Sequence, residues 1–147
     1  KRNVQREAED FEKSQRKKNL HGRQAEDAVV IYERDYLNNH MRPDLANRVV
    51  KVSKNISLGY DVLSFSIKNG IAVEKHIEVK FVQKTANYIS FFLSANELEN
   101  FKNDDNFFIY CVYRDGRNFK HHIVNKERWR DEYLKPHVYQ VRIRISE

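Results

Sequence analysis

Lys68-Asn69-Gly70 separates two runs, residues 61–67 and 71–82, both rich in β-branched and aromatic side chains. Asn-Gly is the strongest short-range hairpin signal, because both central turn positions need a left-handed backbone. The two runs are therefore predicted to pair as an antiparallel hairpin. The returning run, IAVEKHIEVKFV, is strongly apolar around Ile77-Glu78-Val79-Lys80 and is expected to be a central strand. Strand side chains alternate faces, so Ile77, Val79 and Phe81 point one way and Glu78 and Lys80 the other. Charge on one face of a central strand needs a reason, since burying it unpaired is costly.

The other elements are read around this hairpin. Residues 1–20 are mostly charged, with Val4, Ala8 and Phe11 as a thin apolar stripe at helical spacing. They are expected to be a solvated helix or a linker from a larger parent protein with further domains. His21-Gly22 is read as a break. Residues 23–40 then carry Ala25, Val29, Tyr32, Tyr36 and Leu37 on one helical face, with Glu26 beside it and Pro43 closing the segment. Further strands are predicted at 48–54, 89–94, 107–114, 119–124 and 137–145. The run FFIYCVYR is expected to be covered on both faces. Ser94-Ala95-Asn96-Glu97 has the capping-box form and opens a helix to about residue 102. KERWRDEYL is predicted as a short helix ended by Pro136. Residues 21–147 thus read as one α+β (mixed α/β) domain, a central mixed sheet flanked by helices.

The 147 residues carry 27 Lys and Arg against 21 Asp and Glu, a formal net charge of +6. That balance favours a polyanion such as DNA as partner. A single cysteine, Cys111, excludes an internal disulfide framework and a multi-cysteine zinc site, and its apolar setting fits a buried small hydrophobe. No apolar stretch is long enough to span a bilayer and no signal-peptide pattern opens the chain, so no membrane partner and a cytoplasmic setting are expected. His121 and His122 are adjacent in a predicted strand and face opposite sides, which argues against joint metal binding.

Asp61 opens the first hairpin strand, and pairing brings it towards Glu78 and Lys80. Two carboxylates that meet repel unless a cation sits between them. All-oxygen ligands suit Mg2+, which takes one or two carboxylates and keeps its waters. An ammonium beside them can steady an attacking water or charge on phosphorus. A plainer reading stands beside this one: Glu-x-Lys as solvated charge and Asp61 as a turn residue. Likewise a helix cap accounts for Ser94 and Glu97 without chemistry, whereas Asn96 could face the site. Trp129 between Arg128 and Arg130 could stack on a base or anchor its short helix.

Glu26 in a first helix, Asp61 at a strand start and Glu78-Val79-Lys80 on the next strand resemble the PD-(D/E)XK nuclease pattern, with Tyr60 where the motif has proline. More closely, Gly59-Tyr60-Asp61-Val62-Leu63-Ser64-Phe65, Ile77-Glu78-Val79-Lys80, Phe91-Phe92-Leu93-Ser94-Ala95-Asn96-Glu97 and Tyr110-Cys111-Val112-Tyr113 resemble the domain family at the C-terminus of the plant protein NO VEIN. The resemblance covers roughly residues 20–115. It implies a restriction-endonuclease-like core and a metal-dependent DNA endonuclease using Mg2+ or Mn2+. Asp61, Glu78 and the main-chain carbonyl of Val79 would be the metal ligands. Lys80 would position or activate the water, and Glu26 would hold a water of the metal or a second metal. It further implies the effector of a bacterial restriction or anti-phage protein. The alternative is a nucleic-acid-binding or sensing module without turnover. One such site cuts one strand, so duplex cleavage would need a homodimer or successive nicking.

Overall fold

The computed structural model describes residues 4–135 and 141–145. In chain order the elements are α1 (Val4–Asn39), α2 (Pro43–Ala46), β1 (Val50–Lys51), β2 (Val62–Lys68), β3 (Ile71–Phe81), α3 (Ala95–Asn103), β4 (Phe107–Asp115) and β5 (Asn118–Ile123). Among the described residues the strands form one sheet in the order β1-β2-β3-β4-β5. Every neighbouring pair is antiparallel except β3 and β4, which run parallel. A parallel pair needs a crossover, and the segment carrying α3 supplies it. The fold is therefore α+β with a mixed sheet, as expected. No helix among the described residues is long and apolar enough to cross a membrane.

The hairpin forms in the predicted register, with Val62 opposite Ile77 and Lys68 opposite Ile71. Asn69 and Gly70 both adopt positive φ, 52° and 78°, as a turn matched to strand twist requires. β3 is the central strand. Its odd-numbered residues face α1 and its even-numbered residues face α3. On the α1 side Ala25, Val29, Leu37, Val62, Ile77 and Tyr110 share one core. On the other side Val82, Phe101, Phe107, Ile109 and Cys111 form a second. Full burial of one such large side chain contributes about 1.5–3 kcal/mol. β4 feeds both cores, which explains its unbroken apolar run.

Several local expectations differ from the structure. α1 runs through His21-Gly22 without interruption. One glycine costs a helix only about 1 kcal/mol, and the His21 ring packs on Phe81 with centroids 4.8 Å apart. Strand 48–54 shortens to Val50–Lys51. Residues 89–94 are not a strand, because only an isolated bridge between Lys84 and Ile89 ties them to a neighbour. KERWRDEYL forms two separate 3-10 turns, Lys126–Arg128 and Asp131–Tyr133, instead of one helix. Residues 141–145 have no strand pairing and residues 137–140 of that expected strand lie outside the described residues. The side chains of Val4, Ala8 and Phe11 also lie outside them.

The buried face of α1 is rotated from the one read from periodicity. Ala25, Val29 and Leu37 are buried as expected, but Tyr32 and Tyr36 are exposed, and Val30 and Glu33 are buried instead, Glu33 with 1% of its surface exposed. Glu33 is held from two distant strands. Lys75 of β3 donates to its Oε1 at 2.8 Å and the Tyr110 hydroxyl of β4 donates to its Oε2 at 3.1 Å. Burial pushes the Tyr110 hydroxyl well above its usual range, with Glu33 adding to the effect, so Tyr110 remains a donor. A buried pair of this kind is expensive to break from one side, because the survivor is left uncompensated. Lys75→Met is expected to cost about 3–5 kcal/mol in urea denaturation. The combined Glu33→Leu, Lys75→Met and Tyr110→Phe variant is expected to recover most of that loss. A triple variant as unstable as Lys75→Met alone would mean that the polar group stabilises the fold in its own right.

Candidate functional site

Asp61 is fixed by the start of the hairpin. Gly59, at φ 77°, ends the 3-10 turn Ile56–Leu58 and redirects the chain. A Cβ on Gly59 would also come within 3.0 Å of the Asn100 side-chain amide. Tyr60 stacks on His76 with centroids 4.5 Å apart. The Asp61 amide then donates to the Ile77 carbonyl at 2.9 Å. Asp61 Oδ2 in turn accepts the Val79 amide at 2.9 Å. The side chain thus occupies a ladder position just beyond the first residue of β2. A strand residue turns its amide and carbonyl towards the same neighbour. The Val79 carbonyl therefore lies along the same edge as Asp61.

Glu78 and Lys80 project from β3 towards α3, and Glu97 on the first turn of α3 meets them. Lys80 Nζ donates to Glu97 Oε1 at 3.0 Å and to Oε2 at 2.8 Å. It lies farther from Glu78, at 3.6 Å. Glu97 also closes the expected capping box: its Oε1 accepts the Ser94 amide at 2.8 Å, and its own amide donates to Ser94 Oγ at 3.1 Å. The cap reading was correct and incomplete, since the same carboxylate reaches back to the sheet. Glu97 is thus a site residue that sequence reasoning missed. Its signal was the quoted stretch Ser94-Ala95-Asn96-Glu97 following an apolar run, which a cap alone accounted for.

The electrostatics of the group follow from crowding. Glu78 is 7% exposed. Burial, the hydrogen bond with Glu97 and the nearby Asp61 and Glu97 charges push its carboxyl up to about 10, against the weaker pull of Lys80. Burial also raises Asp61, opposed by the Val79 amide, by a hydrogen bond from Glu78 and by Lys80. Glu97 goes the other way. Burial works against its charge, but hydrogen bonds with Glu78, Lys80 and the Ser94 amide outweigh it and bring the carboxyl down to about 2. Burial and crowding therefore favour a proton on Glu78, while the Lys80 ammonium sits against the charged Glu97 carboxylate.

Glu26 reaches the same rim from α1. Its Oε2 accepts from Ser53 Oγ at 3.0 Å, and Lys51 Nζ is 3.8 Å away. Burial and then the Asp61 charge raise its carboxyl, while Ser53 and Lys51 pull it down. The structure thus brings together Glu26, Asp61, Glu78, Val79 and Lys80, the residues named from sequence, and adds Glu97. Two further positions behave as expected. Cys111 is fully buried, its thiol pushed up to about 12 by burial. His121 stacks on Tyr110 while His122 is exposed on the opposite face.

Among the described residues no group of three or more His, Cys, Asp or Glu side chains could hold a metal ion. Mg2+ asks less of a protein, one or two carboxylates with the rest of its shell as water. Asp61 and Glu78 lie close enough to perturb each other, offer only oxygen, and a cation between them would relieve their repulsion. That donor set fits a hard divalent ion.

Comparison with known families places the chain. Residues 25–124 match the family model described as Protein NO VEIN, C-terminal, and the match includes Glu26, Asp61, Glu78, Lys80 and Glu97. The chain belongs to the NO VEIN C-terminal domain family. No curated protein and no solved structure matches it.

The buried acid has a consequence for stability. Between the ordinary glutamate value of 4.5 and about 10, folded Glu78 keeps a proton that the unfolded chain releases. Stability from this group is fully present below the lower value and is lost as pH rises through the window. Its slope approaches about 1.4 kcal/mol per pH unit, that of one proton. Glu97 titrates below the window and has the opposite sign. Denaturation midpoints of the wild type and Glu78→Gln, taken from about pH 6 to about pH 9, are expected to diverge, with only the wild type falling steeply. Parallel curves would show that Glu78 ionises alike in both states.

Proposed function

We propose that the domain is a divalent-metal-dependent phosphodiesterase of the PD-(D/E)XK type that cuts DNA, using Mg2+ or Mn2+. The observation that carries this reading is the meeting of Asp61, Glu78 and Lys80 at one edge of the central strand. Asp61 and Glu78, with the Val79 carbonyl along the same edge, are the groups that would hold the ion. A bound Mg2+ supplies charge stabilisation at a phosphate and a water that ionises near neutral pH. Lys80, kept in place by Glu97, lies where an ammonium can balance charge gathering on phosphorus. Glu26 adds an acceptor on the α1 side that can orient a water. The family resemblance suggests a role as the effector of a bacterial restriction or anti-phage protein.

One observation favours a second reading. Lys80 gives hydrogen bonds to both Glu97 oxygens, so its charge is already engaged. A module that binds nucleic acid without cutting it would tolerate that arrangement. Nicking of supercoiled plasmid separates the two. With Mg2+ the wild type is expected to relax the plasmid, and EDTA to stop it. Asp61→Asn, Glu78→Gln and Lys80→Met are each expected to slow nicking by about 10²-fold or more, the scale of losing one group aimed at transition-state charge. Mg2+ is also expected to raise the wild-type melting temperature, and more so as pH rises, because it competes with the Glu78 proton. Absence of nicking with either metal would leave the binding reading in place.

A further inference from the structure

On the α3 face, next to the acidic cluster, lies a groove of about 1300 Å3. It exceeds the roughly 300–1,000 Å3 of a pocket for a drug-sized ligand. One wall is the segment after β3, whose residues 89–94, expected as a strand, instead pack Ile89, Phe91 and Leu93 on the α3-side core without joining the sheet. The other is the pair of 3-10 turns that replaced the expected helix. Both local departures from the sequence reading thus build the same feature.

Its lining has two properties that point to an occupant. Tyr88, Phe91, Trp129 and Tyr133 contribute aromatic rings, and Lys84, Arg128 and Lys135 contribute positive charge, while no aspartate or glutamate among the described residues lines it. Acids are common in this chain, 21 of 147 residues, so a lining without one is a selective arrangement. The rings are also accessible: Tyr88 is 75% and Tyr133 59% exposed. Trp129 is anchored edge-on against Phe101, with centroids 5.1 Å apart, so it forms a fixed platform. Asp131 lies just outside the lining and accepts the Trp129 indole N–H at 3.2 Å, its charge paired with Lys102 at 2.9 Å. Aromatic faces with flanking cations match unpaired bases on a phosphate backbone. A duplex keeps its bases stacked inside and cannot offer them to such a groove.

The groove ends beside the acidic cluster without including any of its side chains. Its lining includes Ser94, which caps the helix carrying Glu97, and Cys111, the β4 partner of Lys80. We propose that this groove binds a single-stranded stretch of nucleic acid, with bases on Trp129 and Tyr133 and phosphates on Lys84 and Arg128, and delivers its backbone to the Asp61–Glu78–Lys80 edge. The delivery step rests on the phosphodiesterase reading; strand binding does not.

Trp129 is the chain's one tryptophan, so its fluorescence reports the groove directly. The full chain is titrated in EDTA with a deoxythymidine 12-mer, a uridine 12-mer and a 12-base-pair duplex. The DNA strand, the RNA strand or both are expected to quench Trp129 and to bind at least about tenfold more tightly than the duplex, and the comparison of the two strands assigns the sugar. Tyr133→Ala is expected to weaken binding roughly tenfold, the scale of one stacked base. Lys84→Ala and Arg128→Ala are each expected to flatten the salt dependence by about one counterion. Neither strand quenching Trp129 at saturation, or affinities equal for strand and duplex, would overturn the proposal. Quenching by a strand with no nicking under Mg2+ would keep the groove and remove the phosphodiesterase. Nicking without quenching would do the reverse.

Discussion

Lys80 donates to both oxygens of Glu97, and this pair ties the central strand to the helix that carries the chain from β3 to β4. Much of the α3 side follows from it. Glu97 can reach the lysine only because the capping box holds the first turn of α3 against Ser94. Glu78 is left with a more distant counter-charge at 3.6 Å, and burial first, then its acidic neighbours, raise its carboxyl. The interaction that closes the fold at this point thus also draws the nearest cation away from Glu78.

β3 carries a half-buried lysine on each face, and the two surroundings differ in a telling way. Towards α1, Lys75 meets one carboxyl, Glu33, with the Tyr110 hydroxyl filling the remaining acceptor. Charge and hydrogen bonds balance there, and the group needs nothing from outside. Towards α3, Lys80 faces Asp61, Glu78 and Glu97 together, with Glu26 close to Asp61. One ammonium cannot neutralise that set, and burial together with the crowding raises Glu26, Asp61 and Glu78. A protein interior tolerates such a deficit poorly. On the proposed reading, that imbalance is what a bound cation would relieve.

What could be read from the sequence was what local chemistry determines. Asn69-Gly70 demanded the hairpin, alternation placed Glu78 and Lys80 on one face, and Ser94 with Glu97 marked a helix start. The failures share a cause, since each depended on partners far along the chain. Glu33 sits at a core position of α1 that periodicity assigns to an apolar residue, and Lys75 and Tyr110 make it affordable from 42 and 77 positions away. Glu97 had a sufficient local explanation, which hid its second role. Residues 89–94 have strand-like composition but pair with no strand of the sheet, so composition alone misled. Trp129 allows either a base platform or an anchor; its packing between Phe101 and Tyr133 shows the anchor.

Charge on the α3 side is segregated, and the separation bears on how a phosphate backbone could be handled there. A groove without acids attracts a polyanion, while the neighbouring acidic cluster repels one. On the proposed reading the two meet only through a cation: with no ion bound, each phosphate brought to the edge faces the Asp61 and Glu97 carboxylates with only Lys80 against them. With a divalent ion bound, the same edge turns attractive. Strand and metal affinity are then coupled, and the coupling is reciprocal, each raising the other by the same factor. The proton on Glu78 belongs to the same linkage, because whatever favours the cation releases it. On that reading groove, cluster and proton form one electrostatic unit, whose state depends on what the groove and the cluster hold together.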